Sequence, residues 1–128
     1  MNDEAREVLV QAALAGKVQV KGAIHATPGE ENPNYSQVPW QVQGNCVLGE
    51  LHVAYHQGSE AEARACVGGP QLWLMACIEQ VYQRFGIASS ECACPICHYT
   101  LPTEAILLAE HLNDLHGLSF LDIARKAP

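Results

Sequence analysis

The sequence predicts a single small α+β domain, mainly helical, and three observations carry that reading. Apolar residues recur at helical spacing along most of the 128 residues. The stretches that read as strands are short and lie near residues 17–26 and 39–44. Finally, Cys94-Pro95-Ile96-Cys97 followed by His111 and His116 spells C-x2-C-x13-H-x4-H. Two thiolates on a tight turn, then two imidazoles further on, are the donors that a tetrahedral structural zinc takes. The expected division is a mainly helical core over 1–90, with a short N-terminal hairpin or loop, and a zinc-stapled ββα-like or knuckle-helix unit over 91–128. A final short helix of that unit packs on the core.

Composition bounds the rest. A chain that is 48% hydrophobic and 16% charged is globular rather than disordered. Fourteen acidic against seven basic residues give a net charge of −7, which argues against nucleic acid or an anionic membrane as the main partner. The start, MNDEAREVLVQ, is too polar for a secretory signal, and no apolar run is long enough to span a bilayer. A cytoplasmic location is expected, with the six cysteines reduced or bound to metal.

In chain order, residues 3–15 predict a helix capped by Asn2 or Asp3, with Val8, Leu9 and Ala12 as its stripe and Gly16 at its end. Residues 17–26 predict a short strand, 27–39 a proline-rich surface loop, and 39–44 a second strand opposite the first. A helix is expected from Asn45 to His56, with Val47, Leu48, Leu51 and Tyr55 on one side. After a turn or two over 60–66, Pro70 and Gly86 bracket the strongest helical signal. Leu74, Ile78, Val81, Tyr82 and Phe85 form its stripe, widened by Leu72, Trp73 and Met75, so this helix is expected to be the centre of the core. Residues 87–93 link to the knuckle. Thr103 should cap a helix with Leu108, Leu112 and Leu115 on one face, and Ser119 a last helix in which Asp122 completes a weak capping box.

Cys94, Cys97, His111 and His116 are the expected zinc ligands, with Leu101 and Leu108 packed behind the metal. On an ideal helix a gap of five residues sets two imidazoles roughly 140° apart, so the helix must tighten or unwind before His116. Gly117 favours such an ending. Cys92 and His98 flank the knuckle, and a three-cysteine, one-histidine set built on Cys92 stays open as an alternative. Residues 94–116 resemble the C2H2 zinc finger, and the resemblance implies a structural Zn2+ with four protein ligands. It does not imply DNA reading here. The positions that read bases in that family fall at Glu104, Leu107 and Glu110, and no Lys or Arg lies between Arg84 and Arg125. A second likeness, in Cys46-Val47-Leu48-Gly49-Glu50-Leu51 and Leu112-Asn113-Asp114-Leu115-His116-Gly117 running on to Ala124, is to small uncharacterised proteins of phages and actinobacteria. It implies a phage origin and no assigned activity.

Other constellations read more plainly. His52 and His56, four apart, could hold a second metal with Glu50 or His25, but hydrogen-bonded or exposed histidines are the favoured account. Cys46 at a helix start could be an activated thiol beside a histidine; a buried structural cysteine is favoured, and Cys66 and Cys77 read as core. Gly68-Gly69-Pro70 is a turn, and Tyr35 and Trp40 are loop anchors or an interaction patch. The function expected from these residues is a zinc-binding, non-enzymatic protein-interaction module, a phage-encoded adaptor or inhibitor of a host protein. Its acidic helix face of Glu104, Glu110 and Asp114 would meet a basic partner surface. A DNA-binding regulator using the helix pair around Gly117, a minor virion component, and an enzyme built on Cys46 with His52 or His56 are the alternatives.

Overall fold

The computed structural model describes residues 1–21, 24–26, 43–67, 71–86, 89–98 and 100–128. Among them the chain forms six helices and two small antiparallel sheets, so the fold is mainly helical with little strand. The first helix, α1 (Asp3–Leu14), starts where Asn2 accepts the Ala5 N–H at 2.9 Å. Asn2 also donates to the Arg84 carbonyl at 3.0 Å, and thereby closes a second helix end with the same side chain. Ala5, Leu9 and Ala12 are the buried face of α1, and Val8 packs half-buried beside them.

The expected strand over 17–26 is broken. Its first part makes a single bridge, Gln19 to Asn45. Only β1 (His25–Ala26) pairs regularly, antiparallel to β2 (Gly44–Asn45), with His25 opposite Asn45. Of the second strand expected over 39–44, Gly44 pairs opposite the first, and residues 39–42 lie outside the described ones, as does the loop expected over 27–39. Asn45 belongs to this sheet and not to the helix predicted to begin there. Cys46 is the N-cap of α2 (Val47–Tyr55).

Helix α2 is buried on every side from Val47 to Val53, Glu50 and His52 included. Gly49 explains how it comes so close to the sheet: a Cβ there would stand 2.0 Å from the Ile24 carbonyl oxygen. The helices α3 (Glu60–Val67) and α4 (Gln71–Arg84) follow. In α4, Val81 is buried and Ile78 and Tyr82 pack half-buried, with Phe85 just beyond its end, as the stripe predicts. Pro70 and the side chains over 71–77, those of Leu72, Trp73, Leu74 and Met75 among them, lie outside the described ones.

Of the two main clusters, one joins Ala5, Ile24, Cys46, Leu48, Leu51, Val81 and Phe85. The other joins Leu9, Ala12 and Val47 to Cys94, Leu108, Leu112, Phe120 and Ile123. Among the described residues α1 and α2 run through both clusters; the side chains over 71–77, on which the expectation of a central α4 rests, lie outside the described ones.

The last third opens with a β-hairpin followed by a helix, the ββα-like of the two expected arrangements, although residues 89–93 read as a link. Strand β3 (Ser89–Ala93) pairs antiparallel with β4 (Thr100–Glu104), Cys92 opposite Leu101 and Ser90 opposite Thr103. Thr103 is thus a strand residue and no cap; α5 (Ala105–Asp114) begins after the hairpin ends. Leu108 and Leu112 are buried on α5, but Leu115 lies past its end and is 68% exposed, off the face predicted for it. Ser119 caps α6 (Phe120–Lys126) by accepting the Asp122 N–H and donating its hydroxyl to that carboxylate. Helix α6 packs across α1, where Arg6 donates to the Ala124 carbonyl at 2.6 Å. No described helix is long and apolar enough to cross a membrane.

Gly49→Ala on an open helix would help by up to about 1 kcal/mol. Here the added methyl meets backbone, and the substitution is expected to cost about 2–3 kcal/mol, read as a lower urea midpoint at unchanged m-value.

Candidate metal centres

Cys94 and Cys97 stand on the turn between β3 and β4, and His111 and His116 near and beyond the end of α5. The four donor atoms lie within 4.8 Å of one another. Cys94 Sγ is 3.4 Å from His116 Nε2, Cys97 Sγ 3.4 Å from His111 Nε2, and the two Nε2 atoms are 3.1 Å apart. Ordinary zinc bond lengths in a tetrahedron imply edges of about 3.3 Å between two nitrogens and about 3.6 Å between nitrogen and sulfur. The donors can hold a metal ion without large rearrangement.

Local backbone makes the convergence possible. At the knuckle, the Ile96 N–H points to Cys94 Sγ at 3.4 Å, the His98 N–H donates to the Cys94 carbonyl at 2.9 Å, and His98 itself takes φ +61°. Burial opposes a Cys94 thiolate, but the backbone N–H groups of Cys97, Ile96 and His98 and the Cys97 side chain outweigh it, and the thiol is held below its usual range. At the helix end the turn widens instead of tightening. The Leu115 and His116 N–H groups both reach the His111 carbonyl, at 3.0 and 3.4 Å, and the Leu118 N–H reaches back to Leu112. Gly117 at φ +65° turns the chain away. His116 is so freed from the helical angle and brought against His111, ring centroids 4.8 Å apart. His98 is exposed and outside the donor group; the side chain of Cys92 lies outside the described ones.

Glu110 is half-buried, and burial together with Asp114 lifts its carboxyl to about 7. Of the acidic helix face expected from Glu104, Glu110 and Asp114, Glu104 falls at the end of β4 and not on α5; Asp114 alone is exposed among the described side chains, and the side chains of Glu104 and Leu107 lie outside them.

A second donor group joins α2 to α3. His52 Nε2 and His56 Nε2 are 3.2 Å apart, and Cys66 Sγ is 3.4 Å from His56 Nε2. The three donor atoms all lie within 4.8 Å of one another, so this group too can hold a metal ion. Neither of the third ligands considered from sequence, Glu50 or His25, is the third donor. They stand one layer behind it: His25 Nε2 is 3.0 Å from His52 Nδ1, His25 Nδ1 is 2.6 Å from Asn45 Oδ1, and Asn45 donates to Glu50 at 2.8 Å. Cys66 was read as core, and it is buried. Its alanine-rich surroundings carried no ligand signal, and only the packing of α3 on α2 brings it to the histidines. Cys46 is buried elsewhere, its thiol pushed up to about 12 by burial, the reverse of an activated nucleophile. Tyr35, Trp40, Gly68-Gly69-Pro70 and the side chain of Cys77 lie outside the described ones.

No protein-family model, curated protein or solved structure matches this chain.

Burial lowers His25 and His52 from the ordinary 6.5 to about 4, so both are neutral in the native state at pH 7 and gain protons more readily on unfolding. Their contribution to stability is full above pH 6.5 and is lost as the pH falls from 6.5 to 4. Denaturation of the metal-free protein across that interval should show the loss, and His25→Gln should make the slope shallower by about one proton per molecule.

Proposed function

We propose that this protein is a zinc-binding, non-enzymatic interaction module, in which Cys94, Cys97, His111 and His116 hold a structural Zn2+ that fixes the β3–β4 hairpin against α5. The observation that carries the reading is the closed set of four mutually facing donors, which leaves no coordination position for water. Bound zinc supplies a crosslink between hairpin and helix end. Its ligand Cys94 belongs to the same apolar cluster as Leu9, Leu112 and Phe120, so the crosslink also steadies the packing of α1 and α6.

A protein partner is supported by what the crosslink displays. Ile96 between the two cysteines is 39% exposed and Leu115 beside His116 is 68% exposed, so two apolar side chains adjoin the donors in the chain, with the exposed Asp114 preceding Leu115. That surface suits a protein with an apolar contact and a cation at its rim better than it suits a phosphate backbone. The phage-like phrases support a phage-encoded adaptor or inhibitor of a host protein acting in the host cytoplasm. The DNA-binding alternative requires cations that α5 does not carry.

Chelation of the zinc should raise amide hydrogen exchange across residues 89–118 by at least tenfold, and zinc should restore protection. Unchanged protection would sink the structural role. Leu115→Ser is expected to keep zinc and fold but to lose a partner crosslinked by the wild-type chain. Retention on DNA that weakens steeply with salt, in place of a protein partner, would favour the regulator.

A further inference from the structure

The group on α2 and α3 has features that chance hydrogen bonding among histidines would not require. His52 and His56 lie one helical turn apart and both present Nε2 to the same point, where Cys66 Sγ meets them from α3. The separations of 3.2 and 3.4 Å match the edges of a tetrahedron around zinc, about 3.3 Å for two nitrogens and about 3.6 Å for nitrogen and sulfur. We propose that His52 Nε2, His56 Nε2 and Cys66 Sγ hold a second divalent ion of the zinc class, in a site separate from that of Cys94, Cys97, His111 and His116.

The hydrogen-bond pattern behind the donors determines which ring nitrogen carries the proton and which the lone pair. Asn45 turns its amide N–H to the Glu50 carboxylate at 2.8 Å, so its oxygen faces Arg64 Nη2 at 3.3 Å and His25 Nδ1 at 2.6 Å. Facing an oxygen, His25 carries its proton on Nδ1 and keeps a lone pair on Nε2. That lone pair, 3.0 Å from His52 Nδ1, requires the proton of His52 to sit there. The lone pair of His52 is then on Nε2 and directed at His56 and Cys66. The line is anchored at one end by a carboxylate that is 3% exposed and held by Lys17 at 3.3 Å, so its direction does not reverse.

His56 turns its Nδ1 toward the Glu62 carboxylate on α3 at 3.9 Å, an approach too long for a direct hydrogen bond. Metal-bound histidines commonly turn their second nitrogen to a carboxylate or to another hydrogen-bonding group, which fixes the tautomer and strengthens the ligand. Two imidazoles and a thiolate select a borderline ion such as Zn2+ or Co2+ over Mg2+ or Ca2+. Binding would release the Cys66 thiol proton to solvent as the metal–sulfur bond forms. His25 touches no metal; it is a positioning residue.

Cobalt titration of the metal-free protein tests the site, because thiolate-to-cobalt absorption counts sulfurs. Two equivalents should bind, with the absorption rising in two steps in the ratio of two thiolates to one. Cys66→Ser should remove the smaller step and leave the larger, whereas Cys97→Ser should act on the larger alone. Should Cys66→Ser not fold, His56→Gln at the helix end serves in its place. His25→Ala should weaken cobalt at the smaller step about 10–100-fold and shift its d–d bands, which loss of packing alone would not do. A single equivalent, or a smaller step that survives both Cys66→Ser and His56→Gln, would overturn the proposal while leaving the four-donor site intact.

Discussion

Asn45 is held at a junction where four parts of the chain meet. Its backbone N–H donates to Val18 and its carbonyl accepts from Val20, while its side chain joins Glu50, His25 and Arg64. The residue is 2% exposed, so each of these groups must find its partner inside the protein. Satisfying them fixes the crossing of the first strand segment, the start of α2 and the position of His25 together. Leaving one unmade would cost about 1–3 kcal/mol, more than most single apolar contacts give. Asn113 does the same work from the other side. Its amide donates to the Val20 carbonyl and its oxygen accepts from Gln19 and, at 3.3 Å, from the Val47 N–H.

These two side chains explain how α2 can be central although it carries Glu50 and His52. Glu50 and His52 would be costly to bury alone. With Lys17, Asn45 and His25 in reach they become part of a satisfied network, and the apolar residues around them fill both clusters. Helix α5 is used twice in a similar way. Leu108 and Leu112 pack inward, and the widened turn after Asp114 delivers His116 to the donor group.

Much of this was legible in sequence. The spacing of Cys94, Cys97, His111 and His116 named four side chains that the fold does bring together, and Gly117 marked the helix ending that their geometry needs. Asn2, as one of two candidates with Asp3, and Ser119 were recognisable as caps because capping is a local interaction. What escaped was decided at long range. Residues 87–93 lack strand alternation and β4 contains Pro102, yet the two pair because the knuckle between them closes the hairpin. Leu115 continues a helical stripe that the chain itself abandons one residue earlier. Cys66 carries no pattern at all; its meaning comes from α3 lying on α2.

The two donor groups are not independent pieces of the molecule. Asn113 sits between His111 and His116 and holds the first turn of α2 through the Val47 N–H. The same helix ends with His52 and His56, and its start is fixed by Asn45, which also orients His25. One polar scaffold thus supports the donors of both groups, the first through α5 and the second through α2. Whatever orders that scaffold lowers the conformational entropy that either set of ligands has left to lose on binding. The four-donor group closes a hairpin whose Cys94 already lies in the core, while the three-donor group depends on the register of α3 over α2. The first is therefore tied to the packing of the whole last third, and the second to a single helix pair.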